Sequence, residues 1–160
     1  MTGNPAVERG KRLEPALRGL FAAEHPEFTV EYHEFDIMFQ ENRPWLFATL
    51  DGELTDKEGR KGILEIKTAT PNGKAGWSKW ADGRLPDNYY IQTLHQLLAT
   101  GYDFVRLYAY LESMNGDKTI RTYEMERDEV KDDLDWVLAN ETEFWNCVQN
   151  NTSPATPIIL

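Results

Sequence analysis

Two acidic residues and one lysine offer the clearest chemistry in this sequence. Asp51 lies in LDGEL, and Glu65 and Lys67 follow in LEIK, 14 and 16 positions later. Because alternate residues of a strand point to the same side, Glu65 and Lys67 face one way while Ile66 faces the core. If the two segments pair as a hairpin, Asp51 lies opposite that face, and two carboxylates share a small volume with an ammonium group.

A carboxylate pair of this kind predicts a hard divalent cation, because the two negative charges repel each other unless a positive charge lies between them. Mg²⁺ held by one or two carboxylates leaves positions for water and a substrate phosphate. The expected chemistry is in-line attack of a metal-bound water on phosphorus, with Lys67 orienting or deprotonating that water. In the alternative interpretation, Glu65 and Lys67 are exposed residues of an ordinary strand, and the spacing E-x-K taken alone favours that alternative.

The composition narrows the class of protein. The chain has 160 residues and a single cysteine, Cys147, which excludes intrachain disulfides and sites built from several thiolates. No apolar stretch approaches the roughly 20 residues that cross a bilayer. We therefore expect no membrane association and a cytoplasmic location, with one domain over residues 1–150 and a tail over 151–160.

The net charge of −10 argues at first against a nucleic-acid partner, since phosphate binding depends on Lys and Arg. The charge is, however, unevenly distributed. Residues 57–84 carry seven Lys and Arg against three acids, and residues 1–18 carry four against two, whereas 19–56 and 102–145 are strongly acidic. A local basic surface beside the motifs is compatible with a polyanionic ligand.

The elements that must position these residues follow from hydrophobic periodicity and turn signals. Their order, helix, strands, helix, strands, helix, predicts an α/β domain with a mixed central sheet flanked by helices. The predicted helices cover 8–24, 88–100 and 128–149; strands are predicted within 28–39 and over 45–54, 62–68, 104–111 and 119–126, with a turn at 42–44 and a long loop over 70–87.

Four motifs, taken in order, resemble those of a known family. They are RGKRLEP (9–15), LDGEL (50–54), LEIKTA (64–69) and LPDNYYIQTLHQLLATG (85–101). Together they resemble phage recombination exonucleases, the YqaJ and lambda-exonuclease-like branch of the PD-(D/E)xK nuclease superfamily, over about 9–147. The resemblance implies a restriction-endonuclease-like core and a Mg²⁺-dependent DNA exonuclease, with Mn²⁺ able to substitute, that acts 5′ to 3′ on double-stranded ends.

The resemblance also assigns roles to single residues. It implies that Asp51, Glu65 and the backbone carbonyl of Ile66 bind the metal, and that Glu14 helps to bind a metal directly or through water. It implies that Lys67 activates or positions the attacking water. The alternative for Glu14 is a solvent-facing helix residue paired with a basic residue one turn later.

The helix of the fourth motif contributes Gln92, which matches a family glutamine that orients Lys67 or the nucleophile, and Tyr89 three residues before it. In the alternative interpretation, each residue simply lies at the margin of a helix that packs on the sheet. Many relatives carry a second glutamine two residues after the first, where this sequence has Leu94.

Seven residues are predicted to contact DNA. They come from the two basic segments and from the Y-x-x-Q helix, where an aromatic ring stands beside cationic side chains. The partners that the resemblance implies are double-stranded DNA ends, further copies of the chain in a ring, and a single-strand annealing protein, in a bacterial host cell of a phage or prophage. The predicted DNA contacts are Arg9, Arg12, Arg60, Lys61, Lys74, Lys79 and Tyr89.

Two other functions remain open at this point. An endonuclease or structure-specific nuclease would use the same site with different access. Relatives usually begin with an additional segment that contacts the DNA 5′ end, and this sequence starts close to the RGK motif, which favours that alternative. The third function is a nuclease-like module that binds DNA or a partner without cleaving, and the presence of Asp51, Glu65 and Lys67 together argues against it.

Overall fold

The computed structural model describes residues 4–154, which form four helices and seven strands. Residues 155–160, the outer part of the predicted tail, lie outside the described residues. No helix within 4–154 has the length and apolarity needed to span a bilayer. In chain order the elements are α1 (Pro5–Glu24), β1 (Thr29–Glu31), β2 (Met38–Gln40), β3 (Arg43–Ala48), β4 (Gly52–Thr55), β5 (Lys61–Ala69), α2 (Gly73–Ser78), α3 (Asp87–Thr100), β6 (Phe104–Glu112), β7 (Lys118–Glu126) and α4 (Lys131–Gln149).

Five strands form a mixed sheet in the order β1-β4-β5-β6-β7, and β2 and β3 form a separate antiparallel pair. All neighbours in the large sheet are antiparallel except β5 and β6, which run parallel. A parallel pair requires a crossover connection, which α2 and α3 supply here. The predicted mixed sheet with flanking helices is confirmed.

Because side chains alternate along β5, the two faces of this strand pack against different parts of the protein. Leu64 and Ile66 point to α1, where they pack with Leu17 and Phe21. Residue Ile63 points to the opposite face, into the cluster that includes the apolar residues of α3. Burying each large apolar side chain contributes about 1.5–3 kcal/mol relative to exposure, so both helices are held firmly against the sheet.

Helix α3 lies between the two sheets. Leu46 and Ala48 of β3 and residues Leu94 and Leu97 of α3 belong to one buried cluster, which α4 extends. The helix ends at Gly101, whose φ of 74° is the left-handed conformation that the sequence predicted for this glycine. This packing fixes α3 relative to β5, which matters for the site described below.

Three local predictions were wrong. The strand predicted over 45–54 is divided into β3 and β4, with a bend at Asp51 between them. The turn predicted at 42–44 ends earlier, so that Pro44 lies inside β3, where it is tolerated because β3 pairs with β2 alone. The loop predicted over 70–87 contains α2, and its buried Trp80, whose backbone carbonyl accepts a hydrogen bond from the Tyr123 hydroxyl at 2.6 Å, ties the segment to the sheet.

Candidate active site

Glu65 and Lys67 lie on the face of β5 that is covered by α3. Glu65 is 2% exposed, and its Oε1 atom lies 2.5 Å from Lys67 Nζ. The strand alternation that predicted a shared side for these two residues is therefore realised. A buried carboxylate paired with an ammonium group is costly to maintain unless its remaining oxygen positions are also satisfied.

Two glutamines of α3 provide those partners. Gln92 Nε2 donates to Glu65 Oε1 at 2.9 Å, and Gln92 Oε1 accepts from Lys67 Nζ at 2.9 Å. Gln96 Nε2 donates to Glu65 Oε2 at 2.6 Å. Residues four apart on a helix lie on the same side, so both glutamines point at the carboxylate from adjacent turns.

Asp51 contacts the same strand at the edge of β5 that faces β4. The pairing of β4 with β5 stops at Gly52 and Leu64, and beyond that point Asp51 Oδ2 accepts the backbone N–H of Ile66 at 2.8 Å. In an extended strand the N–H and C=O of one residue point the same way. The Ile66 carbonyl, the predicted metal ligand, therefore faces the edge on which the Asp51 carboxylate lies.

The Asp51 carboxyl has a strongly raised pKa, about 7. Burial is the main cause, followed by the negative charge of Glu65 and a smaller contribution from Glu14; the hydrogen bond from the Ile66 N–H and the charge of Lys67 act in the opposite direction. A raised pKa with these causes means that burial, and then the neighbouring acids, disfavour the charged form of this carboxyl group. This is the electrostatic state that binding of a cation relieves.

Glu14 belongs to the surroundings of this site through Arg18. The Arg18 guanidinium lies 2.6 Å from Glu14 Oε1, the pairing that the alternative interpretation anticipated. It also donates to the backbone carbonyl of Asp51 and stacks on the ring of Tyr32 at 3.6 Å. Arg18 thus joins α1 to the bend that carries Asp51.

The donor set suits Mg²⁺ or Mn²⁺ better than zinc. Asp51, Glu65 and the Ile66 carbonyl supply only oxygen, and within residues 4–154 no group of three or more His, Cys, Asp and Glu side chains is arranged to hold a metal. Magnesium is usually bound through one or two carboxylates, with water and substrate phosphate in the other positions. The raised pKa of Asp51 reflects the same burial and the same neighbouring acids, and a cation between the carboxylates would lower it.

Tyr89 lies beside the predicted catalytic lysine. Lys67 Nζ lies 4.9 Å from the centre of the Tyr89 ring, a cation–π contact, and the same ring packs against Trp80 at 5.5 Å. The packing on Trp80 connects this part of the site to the segment that contains α2.

The residues predicted to contact DNA fall into two groups. Arg60 and Lys61 precede Glu65 by five and four residues, a separation of about 13–17 Å, and both are paired with acids.

The second group lies near the carboxyl end of β5. Arg12, Lys74 and Lys79 are exposed. Lys74 and Lys79 follow the carboxyl end of β5. On the other face, α1 approaches the same end: a Cβ added at Gly10 would meet Thr68, and Arg9 pairs with Glu112 at the end of β6. The site and these basic residues share one end of the sheet, and Arg60 and Lys61 lie at the other.

Sequence reasoning missed Gln96 and Arg18. The spacing of four residues between Gln92 and Gln96 was a usable signal, because it places both amides on one helix face. Leu94, at the position of the family's second glutamine, belongs instead to the apolar cluster shared with β3 and α4. Arg18 could not have been found from spacing, because its contact with the carbonyl of Asp51 joins residues 33 positions apart.

Comparison with known proteins identifies the family that the four motifs resemble. The model of the YqaJ-like viral recombinase domain family matches residues 1–103. The chain belongs to this family. An uncharacterized protein YqaJ of Bacillus subtilis (strain 168) is 32% identical over 88 residues, a match that covers 55% of this chain and 25% of that protein. The chain therefore spans about a quarter of that relative.

Solved structures share the fold of this YqaJ-like domain. An alkaline exonuclease (LHK-Exo) from Laribacter hongkongensis superposes with a TM-score of 0.55 at 20% identity, covering 94% of this chain and 76% of that one. The structure of LHK-Exo in complex with dAMP gives a TM-score of 0.56 at the same identity and coverage. These matches confirm the predicted restriction-endonuclease-like core.

Proposed function

We propose that this YqaJ-like domain is a divalent-cation-dependent deoxyribonuclease that hydrolyses phosphodiesters at double-stranded DNA ends. The observation that carries the proposal is the arrangement of Asp51 at the edge of β5 and of Glu65 and Lys67 on one face of that strand, with the pKa of Asp51 raised to about 7 by burial and neighbouring acids. Membership of the recombinase family and the fold shared with an alkaline exonuclease support the same chemistry.

In this proposal the residues divide the work among three tasks. Asp51, Glu65 and the Ile66 carbonyl hold the cation, whose chemistry is to offset charge on the phosphodiester and polarise it. Lys67, fixed between Glu65 and Gln92 at 2.5 and 2.9 Å, would position the attacking water by donating a hydrogen bond to it. Glu14, held by Arg18, adds a third acid near Asp51 that can bind a second cation directly or through water.

The DNA path in this proposal runs along the carboxyl end of β5. Lys74 and Lys79 contribute exposed positive charge after β5. Arg12 contributes it from the start of α1 on the other face of the sheet, beside Arg9, which is half-buried and paired with Glu112. Tyr89, beside Lys67, offers a ring on which a base can stack. Arg60 and Lys61 lie too far along β5 to reach the same phosphate.

Incubation of the protein with linear and with closed circular DNA in the presence of Mg²⁺ tests the proposal. We expect digestion of the linear form alone. Nicking of circles would instead identify an endonuclease, and no cleavage of either form with retained DNA binding would identify a binding module. The polarity, which we propose to be 5′ to 3′, is read from the loss of label at each end of a duplex.

Substitution of Lys67 tests the assignment of the site. Lys67→Met nearly keeps the length of the side chain and removes its charge. Because the group that positions the attacking water is then lost, we expect the cleavage rate to fall by about 10²–10⁴-fold. The matched control is Lys131→Met, which removes an exposed lysine of α4 that pairs with Asp135 at 2.8 Å. Equal rates for Lys67→Met and the control would rule out this role for Lys67.

We further propose that the domain acts in phage-type recombination in the cytoplasm of a bacterial host cell. In this setting it would work as a ring of several copies and pass the resulting single strand to an annealing protein. Sedimentation of the purified chain with and without a DNA end measures the number of copies, and a purely monomeric species under both conditions would contradict the ring.

A further inference from the structure

We propose that Gln96 is a positioning residue that sets the orientation of the Glu65 carboxylate for binding of the cation. This inference rests on the proposed function. It concerns a residue at a position where the family motif offers no assignment, and it depends on the contacts around Glu65.

The hydrogen bonds at Glu65 leave one acceptor position. An ionised carboxylate has about four lone-pair sites, two on each oxygen. Oε1 accepts from Gln92 Nε2 at 2.9 Å, and the Lys67 ammonium forms an ion pair with the same oxygen at 2.5 Å. On Oε2 one is used, by Gln96 Nε2 at 2.6 Å. Gln96 therefore prevents rotation of the carboxylate and keeps a single open site on Oε2, which is the site left for a cation.

The buried amide oxygen of Gln96 indicates that this side chain does more than fill space in the core. Gln96 is 3% exposed, and its Oε1 atom is buried without a hydrogen-bond partner within residues 4–154. An unpaired buried acceptor is unfavourable, and a methionine of the same length would avoid it. A glutamine at this position therefore brings a cost that its short bond to Glu65 at 2.6 Å offsets, together with a longer bond to the Thr49 carbonyl at 3.5 Å.

The helix that carries Gln96 is rigid enough for this role. Leu94 and Leu97, on neighbouring positions of α3, are 1% and 0% exposed in the cluster that joins the helix to β3 and α4. The backbone carbonyl of Gln96 also accepts the Thr100 hydroxyl at 2.8 Å. The amide is thus presented to Glu65 from a fixed backbone, as partners of metal ligands usually are.

Calorimetric titration with Mn²⁺ alone, without DNA, tests the inference. Gln96→Met keeps the length of the side chain and removes the donor, and we expect Mn²⁺ affinity to fall by about 10–100-fold. The matched control is Thr93→Val, which removes a buried hydroxyl of the same helix that donates to the Tyr90 carbonyl at 2.7 Å without touching Glu65. We expect the control to bind as the unmodified protein does. Should Gln96→Met fail to fold, Gln96→Asn, which shortens the reach of the amide by one methylene, is expected to show the same loss.

Cleavage measured against Mg²⁺ concentration gives a second readout. For Gln96→Met the half-saturating Mg²⁺ concentration should rise by about 10–100-fold while most of the maximal rate returns at saturating Mg²⁺. A merely structural role would lower the maximal rate without moving the half-saturation point. Unchanged Mn²⁺ affinity in Gln96→Met, with the unmodified protein binding Mn²⁺ and cleaving DNA, would overturn this inference alone. Failure of the unmodified protein to bind Mn²⁺ would overturn the cation-dependent function together with it.

Discussion

The carboxyl group of Asp51 connects protonation to cation binding at the scale of single residues. Its pKa of about 7, raised chiefly by burial and then by Glu65, means that a proton occupies the group at mildly acidic pH. A cation can bind there only when that proton leaves. Asp51 therefore makes the affinity of the site for a cation depend on pH near neutrality, where an ordinary aspartate would not.

The first prediction concerns this competition. Between pH 5.5 and 7 the logarithm of the Mn²⁺ association constant should rise by about one per pH unit, and it should level off above pH 7, because each ion bound displaces about one proton. Calorimetric titration across this range measures the slope. Asp51→Asn should bind weakly with no such slope, and a flat profile in the unmodified protein would contradict the assignment.

The second prediction concerns stability of the metal-free protein. Because the folded state holds the Asp51 proton more tightly than the unfolded chain, this group contributes stability that is fully present below pH 4 and is lost as pH rises through about 7. Between pH 5 and pH 8 the loss should amount to about 3 kcal/mol at most. Urea unfolding at pH 5 and pH 8 in the presence of a chelator measures it. The difference between the two pH values should be smaller in Asp51→Asn by that amount, and equal differences would contradict the raised pKa.

At the scale of elements, the start of β5 depends on close packing against β6. Gly62 is paired with Phe104, and a Cβ at Gly62 would overlap the Phe104 ring, which is itself fully buried. The strand carries Glu65 and Lys67 at its other end. A displaced strand would therefore also move the site.

The third prediction compares two glycines. Gly62→Ala should destabilise the protein by about 1–3 kcal/mol, since the added methyl group enters a filled core. Gly19→Ala, in the interior of α1 with no atom within 4 Å of the new Cβ, should stabilise it by about 0.5–1 kcal/mol. Thermal unfolding of both variants checks the signs. Two effects of the same sign would contradict the packing of β5 on β6.

Sequence periodicity predicted the elements whose identity depends on local pattern. Helices α1 and α3, the strands β6 and β7 and the hairpin of β4 and β5 all follow from apolar spacing and turn residues. The bend at Asp51 could not be predicted, because WLFATLDGEL is compatible with one long strand and only the separate partners of β3 and β4 divide it. For the same reason α2 was missed: its tie to the sheet, the bond from Tyr123 to the Trp80 carbonyl, joins residues 43 positions apart.

The candidate site was predictable in part. The alternation of LEIK correctly indicated that Glu65 and Lys67 share a side, and the family resemblance supplied Gln92. The prediction that Arg60 and Lys61 contact DNA treated the basic segment as one surface. Strand length separates the segment into two ends. Of the acids that pair with Arg60, Asp56 is only four residues away, but Glu126 lies 66 positions away and could not be found from spacing.

At the scale of the whole molecule, the basic side chains near the site form a small area on an acidic protein. The net charge is −10, and the acidic residues are concentrated in residues 19–56 and 102–145 of the sequence. Distant charges are screened beyond about 8 Å at physiological salt. DNA affinity should therefore depend on a few local contacts and fall steeply with added salt.

The fourth prediction concerns the number of contacts between lysine side chains and DNA phosphates. The double variant Lys74→Ala/Lys79→Ala should reduce the slope of log affinity against log salt concentration by about two if both lysines contact phosphate. Fluorescence anisotropy with a labelled duplex at four or more salt concentrations measures the slope. The matched control, Lys57→Ala/Lys131→Ala, removes two exposed lysines at the other end of the sheet. Equal slopes for the two double variants would remove the segment around α2 from the DNA path.

The bond between Asp51 and the Ile66 N–H determines how inactive versions of this protein should be made. At 2.8 Å the carboxylate replaces the neighbouring strand that β5 loses after Leu64. Alanine at position 51 would leave the Ile66 backbone donor without a partner on this edge of β5, so that lost cleavage would report a disturbed strand edge as well as chemistry. Asparagine keeps an oxygen for that N–H and removes only the charge. It is therefore the substitution with which to trap a DNA complex in its working shape.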